Sequence, residues 1–257
     1  MLEPAPGEFR LWPATRVQAL FAAEADAEAL VRALSAALGL TPAGLQVRAV
    51  ADRVWEREWL RDFHAMRFGS RLWICPHHER VEDPDAAVVR MDPGLAFGTG
   101  THPTTALCLE WLDAHAPLGL EVIDYGCGSG VLALAALRLG ARTATCVDID
   151  PQALIAVRDN ATANGLEARV RICEQPQALA GTGDLLLANI LSAPLVQLAA
   201  RFAERVRPAG AIVLAGLLER EAAEVTGAYA PWFDMSPFGL REGWLGLCGR
   251  RRPGPRE

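Results

Sequence analysis

The stretch from Glu121 to Asp150, EVIDYGCGSGVLALAALRLGARTATCVDID, constrains the fold more than any other part of the chain. Val122 and Ile123 form a short β-branched apolar run of the kind found in buried parallel strands. Glycines follow at once, then an apolar helix predicted over 131–139, and then a second buried strand predicted over 144–147. This order of elements predicts a βαβ unit whose first turn binds a ligand.

The polar residues of this unit indicate which ligand. Gly126 and Gly128 let the backbone approach a bound group closely and adopt positive φ. Asp148 follows Gly126 by 22 residues, near the roughly 20 expected for a carboxylate that accepts the ribose hydroxyls. The pattern is GxGxG instead of GxGxxG, which favours a phosphate-free adenosyl ligand, S-adenosylmethionine, over a dinucleotide. The alternative is a purely structural βαβ turn.

Composition limits the remaining possibilities. A chain of 257 residues forms one large domain, or one with a smaller companion. Its net charge of −6 does not suggest a polyanionic partner or sequence-specific binding of nucleic acid. All 25 basic residues are arginine, which excludes Schiff-base, Walker-type and catalytic lysines. Six scattered cysteines indicate reduced thiols in a cytoplasmic protein, and neither a signal peptide nor a membrane span is predicted.

The region before the glycine turn reads as a small separate unit followed by short strands. Over residues 1–50 we predict a strand at Phe9–Trp12, a helix at Asp26–Leu38 and a strand at Leu45–Val50. A charged helix over 52–63 is predicted as a connector. Strands at Leu72–Cys75 and 87–91 follow. Cys75, His77 and His78 match no common metal-site spacing, so no metal is predicted.

The segment Asp92–Thr105, DPGLAFGTGTHPTT, is predicted to be a long functional loop. Thr104 or Thr105 is expected to cap a helix over 106–114, and its hydroxyl could serve a ligand as well. Phe97 is expected to cover the adenosyl group or a substrate stem. His102 is a candidate base, although a loop histidine beside a proline could equally be structural. A well-capped surface loop is the alternative.

After Asp148 the chain alternates helix and strand, which predicts a doubly wound α/β sheet. Asp150 precedes Pro151 and is predicted to be a helix cap, leaving Asp148 as the ribose ligand. Asn189 ends a strand predicted over 184–190, so it should point into the same crevice as the glycines. The remaining predicted elements are a strand at 169–173, a helix at 194–206, a turn at 208–210, a strand at 211–215, a helix at 219–229 and two antiparallel strands over 232–251.

Four motifs, DPGLAFGTGTHPTT, VIDYGCGSG, CVDIDP and NIL, together resemble the bacterial methyltransferases of ribosomal protein L11. The upstream run RDFHAMRFGSRLWICP is similar to that family's linker region. The resemblance implies a class I S-adenosylmethionine-dependent (Rossmann-like) fold of seven strands, the last antiparallel. It implies N-methylation of lysine side chains and of the N-terminal α-amine of L11. The family's cofactor positions would fall on Thr105, Gly126, Asp148 and Asn189.

The resemblance also implies a domain organisation. The family carries an amino-terminal ferredoxin-like α+β domain that presents the substrate, and this chain begins near the second strand of that domain. We therefore expect a truncated substrate-recognition domain over 1–50, a linker helix over 51–66 and a methyltransferase domain over 67–257. Either the true start codon lies upstream or the domain is reduced. The expected partner is L11, free or on the ribosome, and the expected state is a monomer.

Methyl transfer requires a neutral amine to be positioned against the activated methyl group. A lysine with a pKa of about 10.4 is neutral in only on the order of one molecule in a thousand at pH 7, and a closed crevice and the sulfonium charge would lower that pKa. Asn189 could orient the amine or the cofactor. The alternatives are methylation of another protein amine or amide or of a nucleic-acid base, an NAD-linked oxidoreductase, and a non-catalytic module that binds ribosomal protein. Base and amide methyltransferases commonly carry Asn-Pro-Pro-aromatic where this chain has Asn189–Ile190–Leu191–Ser192.

Overall fold

The computed structural model describes residues 18–22, 25–41, 44–48, 63–91 and 102–253. The chain divides into two compact units, 1–54 and 55–257. In the first unit, helix α1 (Ala27–Leu38) begins after Asp26, whose carboxylate accepts hydrogen bonds from the Glu28 and Ala29 amides at 3.0 and 3.1 Å. The helix predicted over 26–38 is thereby confirmed.

Other predictions for the amino-terminal region are wrong or lie outside the described residues. Residues 45–48 form no strand, so the strand predicted at Leu45–Val50 is wrong over those four residues. An apolar run becomes a strand only where a neighbour supplies hydrogen-bond partners, and a run this short has little propensity of its own. The predicted strand at Phe9–Trp12, residues 51–62 of the predicted linker helix, and Phe97 with most of its loop lie outside the described residues. Residues 63–65 have no regular structure and Met66 begins a strand, so the helix predicted over 51–66 is wrong over 63–66.

The first strands described in the second unit form a small three-stranded sheet made of β1 (Met66–Phe68), β2 (Leu72–Cys75) and β3 (Ala87–Arg90). β1 pairs antiparallel and β3 parallel with the central β2. Phe68, Leu72 and the other inward-facing apolar side chains are buried in the main core. Strands β2 and β3 confirm the predictions for those positions.

A seven-stranded sheet forms the centre of the second unit, in the order β6-β5-β4-β7-β8-β10-β9. The five strands from β6 to β8 are parallel, and β10 is antiparallel to both β8 and β9. The strands are β4 (Glu121–Tyr125), β5 (Thr143–Val147), β6 (Val170–Cys173), β7 (Gly183–Asn189), β8 (Val206–Leu218), β9 (Phe233–Arg241) and β10 (Trp244–Arg251).

Helices cover both faces of this sheet and create two apolar layers. Along β7, Leu185 and Leu187 belong to one buried cluster, while Leu186 and Ala188 belong to the other. This alternation explains why the strand reads as a continuous apolar run. The helices are α2 (Pro103–Ala114), α3 (Val131–Arg138), α4 (Pro151–Ala163), α5 (Ser192–Arg205) and α6 (Ala222–Tyr229). The doubly wound sheet predicted from the sequence is confirmed.

Two details of the carboxyl-terminal half differ from the predicted boundaries. The predicted turn at 208–210 lies within β8, where residues 207–210 bulge away from β7 and Ala209 adopts φ 63°. The helix predicted over 219–229 begins as a 3₁₀ turn at Glu219–Glu221 before α6. Among the helices of the described segments, none is long and apolar enough to cross a membrane.

The strand order reverses between β4 and β7, because the chain leaves β4 towards β5 on one side and leaves β7 towards β8 on the other. A crevice opens at such a switch point, outside the carboxyl ends of the strands. The carboxyl ends of β4, β5 and β7 all lie at this edge, where Gly126 and Asp148 follow β4 and β5 and Asn189 ends β7.

Candidate active site

The glycine turn after β4 folds back over the end of β5. The amides of Gly126 and Cys127 both donate to the carbonyl of Val147, at 2.7 and 3.1 Å. Gly126 has φ 75°, a conformation that residues with a Cβ rarely adopt. A Cβ at Gly126 would lie 2.3 Å from Cγ2 of Ile190, so glycine is required there on steric grounds as well.

Asp148 is tied directly to this turn. Its carboxylate accepts a hydrogen bond from the Gly128 amide at 2.9 Å and another from the Asp150 amide at 3.0 Å. Each carboxylate oxygen can accept a further bond, so the group can still receive a ligand hydroxyl. The neighbouring Asp150 caps α4 by accepting from the Gln152 amide at 2.9 Å, which confirms its predicted structural role.

Asn189 and Thr105 meet at the same edge of the sheet. The side-chain amide of Asn189 donates to the hydroxyl of Thr105 at 3.2 Å. Thr105 is buried in the first turn of α2, with 1% of its surface exposed, whereas Asn189 is half-buried at the end of β7. Two of the predicted cofactor residues, distant in sequence, are therefore in direct contact.

The cap of α2 differs from the prediction. Helix α2 begins at Pro103, three residues before the predicted start, and its cap is His102 instead of Thr104 or Thr105. Nδ1 of His102 accepts from the Thr104 amide at 3.3 Å and lies 2.8 Å from the Thr104 hydroxyl. Proline at the first helical position fixes φ and lacks the N–H that would be unsatisfied there, so the residue before it becomes the cap.

This arrangement bears on the predicted role of His102 as a base. Nδ1 of His102 faces the first turn of α2, where it contacts both the amide and the hydroxyl of Thr104. His102 also packs edge-on against Trp244, with ring centroids 5.1 Å apart. The geometry favours a capping role for His102.

Asp124 is a buried acid beneath the site that the sequence reasoning did not single out. It is 1% exposed, and its carboxylate accepts from the Ala133 amide at 3.0 Å, so it caps α3 from the preceding strand. Burial, together with the negative charge of Asp148, raises the pKa of Asp124 to about 7. The sequence signal for this residue is an acid within an apolar strand, two residues before the first glycine of the turn.

Two exposed apolar side chains at the same edge were also missed. Ile149, between Asp148 and Asp150, is 85% exposed. Leu191, which precedes α5 and follows Asn189 by two residues, is 67% exposed. Apolar side chains in turns beside a ligand crevice are unusual enough to suggest contact with a bound molecule.

No metal centre accompanies this site in the part of the chain that the structure describes. No group of three or more His, Cys, Asp or Glu side chains is arranged there to hold a metal ion. The thiol of Cys75 is buried and contacts the carbonyls of Pro76 and Glu79 at 3.4 and 3.5 Å. All six cysteines are free thiols, and burial raises the pKa of the Cys108 thiol far above its usual value.

Comparison with known proteins places this geometry in a family. The sequence matches the family model described as Ribosomal protein L11 methyltransferase (PrmA) over residues 1–252. A ribosomal protein L11 methyltransferase of Actinobacillus pleuropneumoniae serotype 5b (strain L20) is 49% identical over 256 residues, covering 98% of this chain and 87% of that protein. One from Pseudomonas aeruginosa (strain LESB58) is 50% identical over 256 residues, covering 98% and 86%.

Solved structures agree on the fold. The crystal structure of a ribosomal protein L11 methylase from Lactobacillus delbrueckii subsp. bulgaricus matches with a TM-score of 0.68 and 29% identity, over 74% of this chain and 100% of that one. A T. thermophilus 16S rRNA N2 G1207 methyltransferase matches with a TM-score of 0.52 and 22% identity, over 63% and 46%. The latter likeness concerns the fold alone. The sheet order and these matches show a class I methyltransferase fold.

Proposed function

Because the chain belongs to the family of ribosomal protein L11 methyltransferases, we propose that it transfers methyl groups from S-adenosylmethionine to lysine side chains and the N-terminal α-amine of L11. The observation that carries this proposal is the convergence of three strand ends. Gly126, Asp148 and the Asn189–Thr105 pair all lie at the carboxyl edge of the parallel sheet, beside its switch point. We expect L11 to be the partner, free or on the ribosome, and the enzyme to act as a cytoplasmic monomer.

The residues present fit S-adenosylmethionine. Gly126 has no side chain, and one there would collide with Ile190. The backbone of the glycine turn therefore lies directly against the crevice. Asp148 retains acceptor positions for ribose hydroxyls beyond its two backbone bonds. Ile149 presents an exposed apolar surface next to that carboxylate, suited to the face of an adenine ring. No cluster of basic side chains that would favour a phosphate is part of this set.

When bound, S-adenosylmethionine supplies a methyl group already activated by its sulfonium charge. The protein then has to place a neutral amine in line with that methyl group, and positioning of this kind can supply much of the rate. Asn189 stands at the end of β7, where its side-chain oxygen can accept a hydrogen bond from the amine while its N–H group is engaged by Thr105. With Nδ2 bonded to Thr105, Oδ1 is the end of the amide that can accept from the amine.

The proton on the acceptor amine sets the remaining requirement. Burial in a crevice disfavours the charged form of a lysine and lowers its pKa. His102 is engaged in capping α2, so we assign it no proton transfer. We propose that the amine loses its proton to solvent before it enters and that Leu191, exposed beside Asn189, contacts the aliphatic stem of the substrate.

The experiment is to incubate the purified protein with labelled S-adenosylmethionine and purified L11 and to map the products by mass spectrometry. Label on lysine side chains and the α-amine of L11 would support the proposal. Cofactor binding is measured in parallel by calorimetry with S-adenosylhomocysteine. Binding without transfer would contradict the assigned substrate, and transfer restricted to other residue types would contradict the assigned acceptors.

A further inference from the structure

Ile190 lies between two glycines, one in the turn after β4 and the other in β8. It follows Asn189 at the end of β7, and it contacts Gly126 on one side and Gly216 of β8 on the other. Gly126 belongs to the proposed cofactor turn, and Asn189 is the proposed acceptor residue. Ile190 therefore packs against the proposed cofactor turn and is adjacent in sequence to the proposed acceptor residue.

The contact with Gly126 is made by one particular methyl group. Cγ2 of Ile190 occupies the space that a Cβ on Gly126 would enter, only 2.3 Å from that position, whereas Cβ of Ile190 is 3.8 Å away. The side chain of Ile190 is otherwise part of the apolar layer beneath α5 and is partly buried. The branch at Cβ therefore holds the glycine turn at a fixed separation from the end of β7.

The contact with Gly216 is made by the backbone of Ile190. A Cβ on Gly216 would lie 2.3 Å from the carbonyl oxygen of Ile190, 2.7 Å from its carbonyl carbon and 3.0 Å from its nitrogen. Gly216 has φ 88°. It stands where β8 carries an extra residue relative to β10, immediately after Ala215, the partner of Asn189 in β7. This bulge lets β8 pass directly against the Asn189–Leu191 backbone.

We propose that Ile190 is a positioning residue for methyl transfer, clamped between Gly126 and Gly216 so that the distance between the cofactor turn and Asn189 is fixed. This inference rests on the proposed function. An in-line transfer is sensitive to such a distance, because a misplacement of about 1 Å can lower the rate roughly a hundredfold. Each half of the site would still bind its own ligand if the clamp were loosened.

Two substitutions at Ile190 separate positioning from simple filling of space. Ile190→Val keeps Cγ2 and removes only the terminal methyl group. Ile190→Leu keeps the full volume and removes Cγ2. If Ile190 positions the turn, the valine variant should keep kcat within about threefold, whereas the leucine variant should lose about tenfold or more in kcat, with KM for L11 little changed.

If Ile190 only fills space in the core, the leucine variant should not have a lower kcat than the valine variant. Volume-conserving exchanges of aliphatic side chains are tolerated best, and loss of a methylene leaves a small cavity. Under that alternative the leucine variant would behave at least as well as the valine variant, and kcat would not separate the two. Equal kcat in both variants, or a valine variant slower than the leucine variant, would overturn the inference.

Gly216→Ala tests the other side of the clamp. Its added methyl group would displace the Ile190 backbone, so kcat should fall while the Kd for S-adenosylhomocysteine stays within about threefold of wild type. Gly119→Ala is the matched control, because Gly119 also has positive φ (72°) but nothing lies within 4 Å of its added Cβ. Equal losses of kcat in the two variants would contradict the proposal, since backbone strain alone would then explain them.

The failure of this inference can be told apart from failure of the proposed function. Wild-type protein that binds S-adenosylhomocysteine but does not methylate L11 refutes the assigned substrate before any variant is compared. Wild-type protein that methylates L11, with the leucine variant equally active, refutes only the role of Ile190. Thermal unfolding of every variant shows whether a lost activity reflects lost folding.

Discussion

The side-chain amide of Asn189 donates a hydrogen bond to the hydroxyl of Thr105 at 3.2 Å, across 84 positions of sequence. Asn189 ends β7, and Thr105 is buried in the first turn of α2. The bond therefore ties the Asn189 side chain to α2, with its Nδ2 group directed at Thr105. The geometry of the proposed acceptor site depends on a residue that need not touch the acceptor.

Thr105→Val is expected to lower kcat for methyl transfer while changing the free energy of unfolding little. Valine keeps the shape of threonine but cannot accept the hydrogen bond from Asn189. A bond of this kind contributes about 1 kcal/mol, so kcat should fall roughly fivefold. Thr105→Ser, which retains the hydroxyl, is the control, and steady-state kinetics with L11 is the measurement. A valine variant as active as the serine variant would show that this contact does not orient Asn189.

Substitutions at Asp148 and Asp150 should have different effects, the first on cofactor binding and the second on folding stability. Asp148→Ala removes a carboxylate held by Gly128 and offered to the crevice, so the Kd for S-adenosylmethionine should rise by about tenfold to a hundredfold. Asp150→Ala removes only the cap of α4 and should lower the unfolding free energy by about 1 kcal/mol. Calorimetry and urea unfolding of both variants test this, and an unchanged Kd in Asp148→Ala would contradict the ribose assignment.

Asp124 should make stability depend on pH between about 4 and 7. Its folded-state pKa of about 7 lies above the usual aspartate pKa of about 3.9. Its contribution to stability is thus fully present below pH of about 4 and is lost as the pH rises through about 7. The loss is on the order of 4 kcal/mol from the size of that shift.

The variant Asp124→Asn does not titrate, and its amide oxygen can still accept from the Ala133 amide. Its stability relative to wild type should therefore improve as the pH rises through this range. Urea unfolding of both proteins at several pH values is the measurement. Parallel stability curves for the two proteins would show that Asp124 is not the titrating group.

Asp113 should matter for folding and not for the cofactor. Its carboxylate accepts hydrogen bonds from the amides of Ser70 and Leu72 at 2.5 and 3.0 Å, from the Arg71 amide at 3.2 Å and from the Ser70 hydroxyl at 2.8 Å. Burial raises the pKa of Asp113, but these bonds together lower it below its usual value.

Asp113→Ala leaves those donors without their partner and should lower the unfolding free energy by about 2 kcal/mol, with the Kd for S-adenosylmethionine unchanged. Stabilisation by the ionised group is present above the usual aspartate pKa and is lost as the pH falls through the lower folded-state pKa. Asp159→Ala, at an exposed position of α4, is the control. Comparable destabilisation in both variants would contradict a specific role for Asp113.

The parts of the fold that the sequence predicted are those whose signals are local. The apolar runs of β4 and β5, separated by glycines and a helix, can be recognised without knowing the rest of the chain. The position of Asn189 at the ligand edge also followed, because every parallel strand of such a sheet ends there. The class I sheet order likewise predicts where the carboxyl-terminal strands lie in the sheet.

The parts that were not predicted depend on contacts between distant residues. Asp124 caps α3 from the strand before the glycine turn, a relationship that no helical periodicity reveals. The three-residue strand β1 is too short to leave a pattern and exists because β2 pairs with it. The cap of α2 differs from the predicted threonines because Pro103 occupies the first helical position, which makes the residue before it the cap.

The measurement that tests the central claim most directly is methyl transfer from labelled S-adenosylmethionine to purified L11, with each modified residue mapped by mass spectrometry. The account predicts label on lysine side chains and on the N-terminal α-amine, and it predicts much less of that label in Asp148→Ala at a cofactor concentration near the wild-type Kd. Absence of both cofactor binding and methyl transfer in the wild-type protein would contradict it.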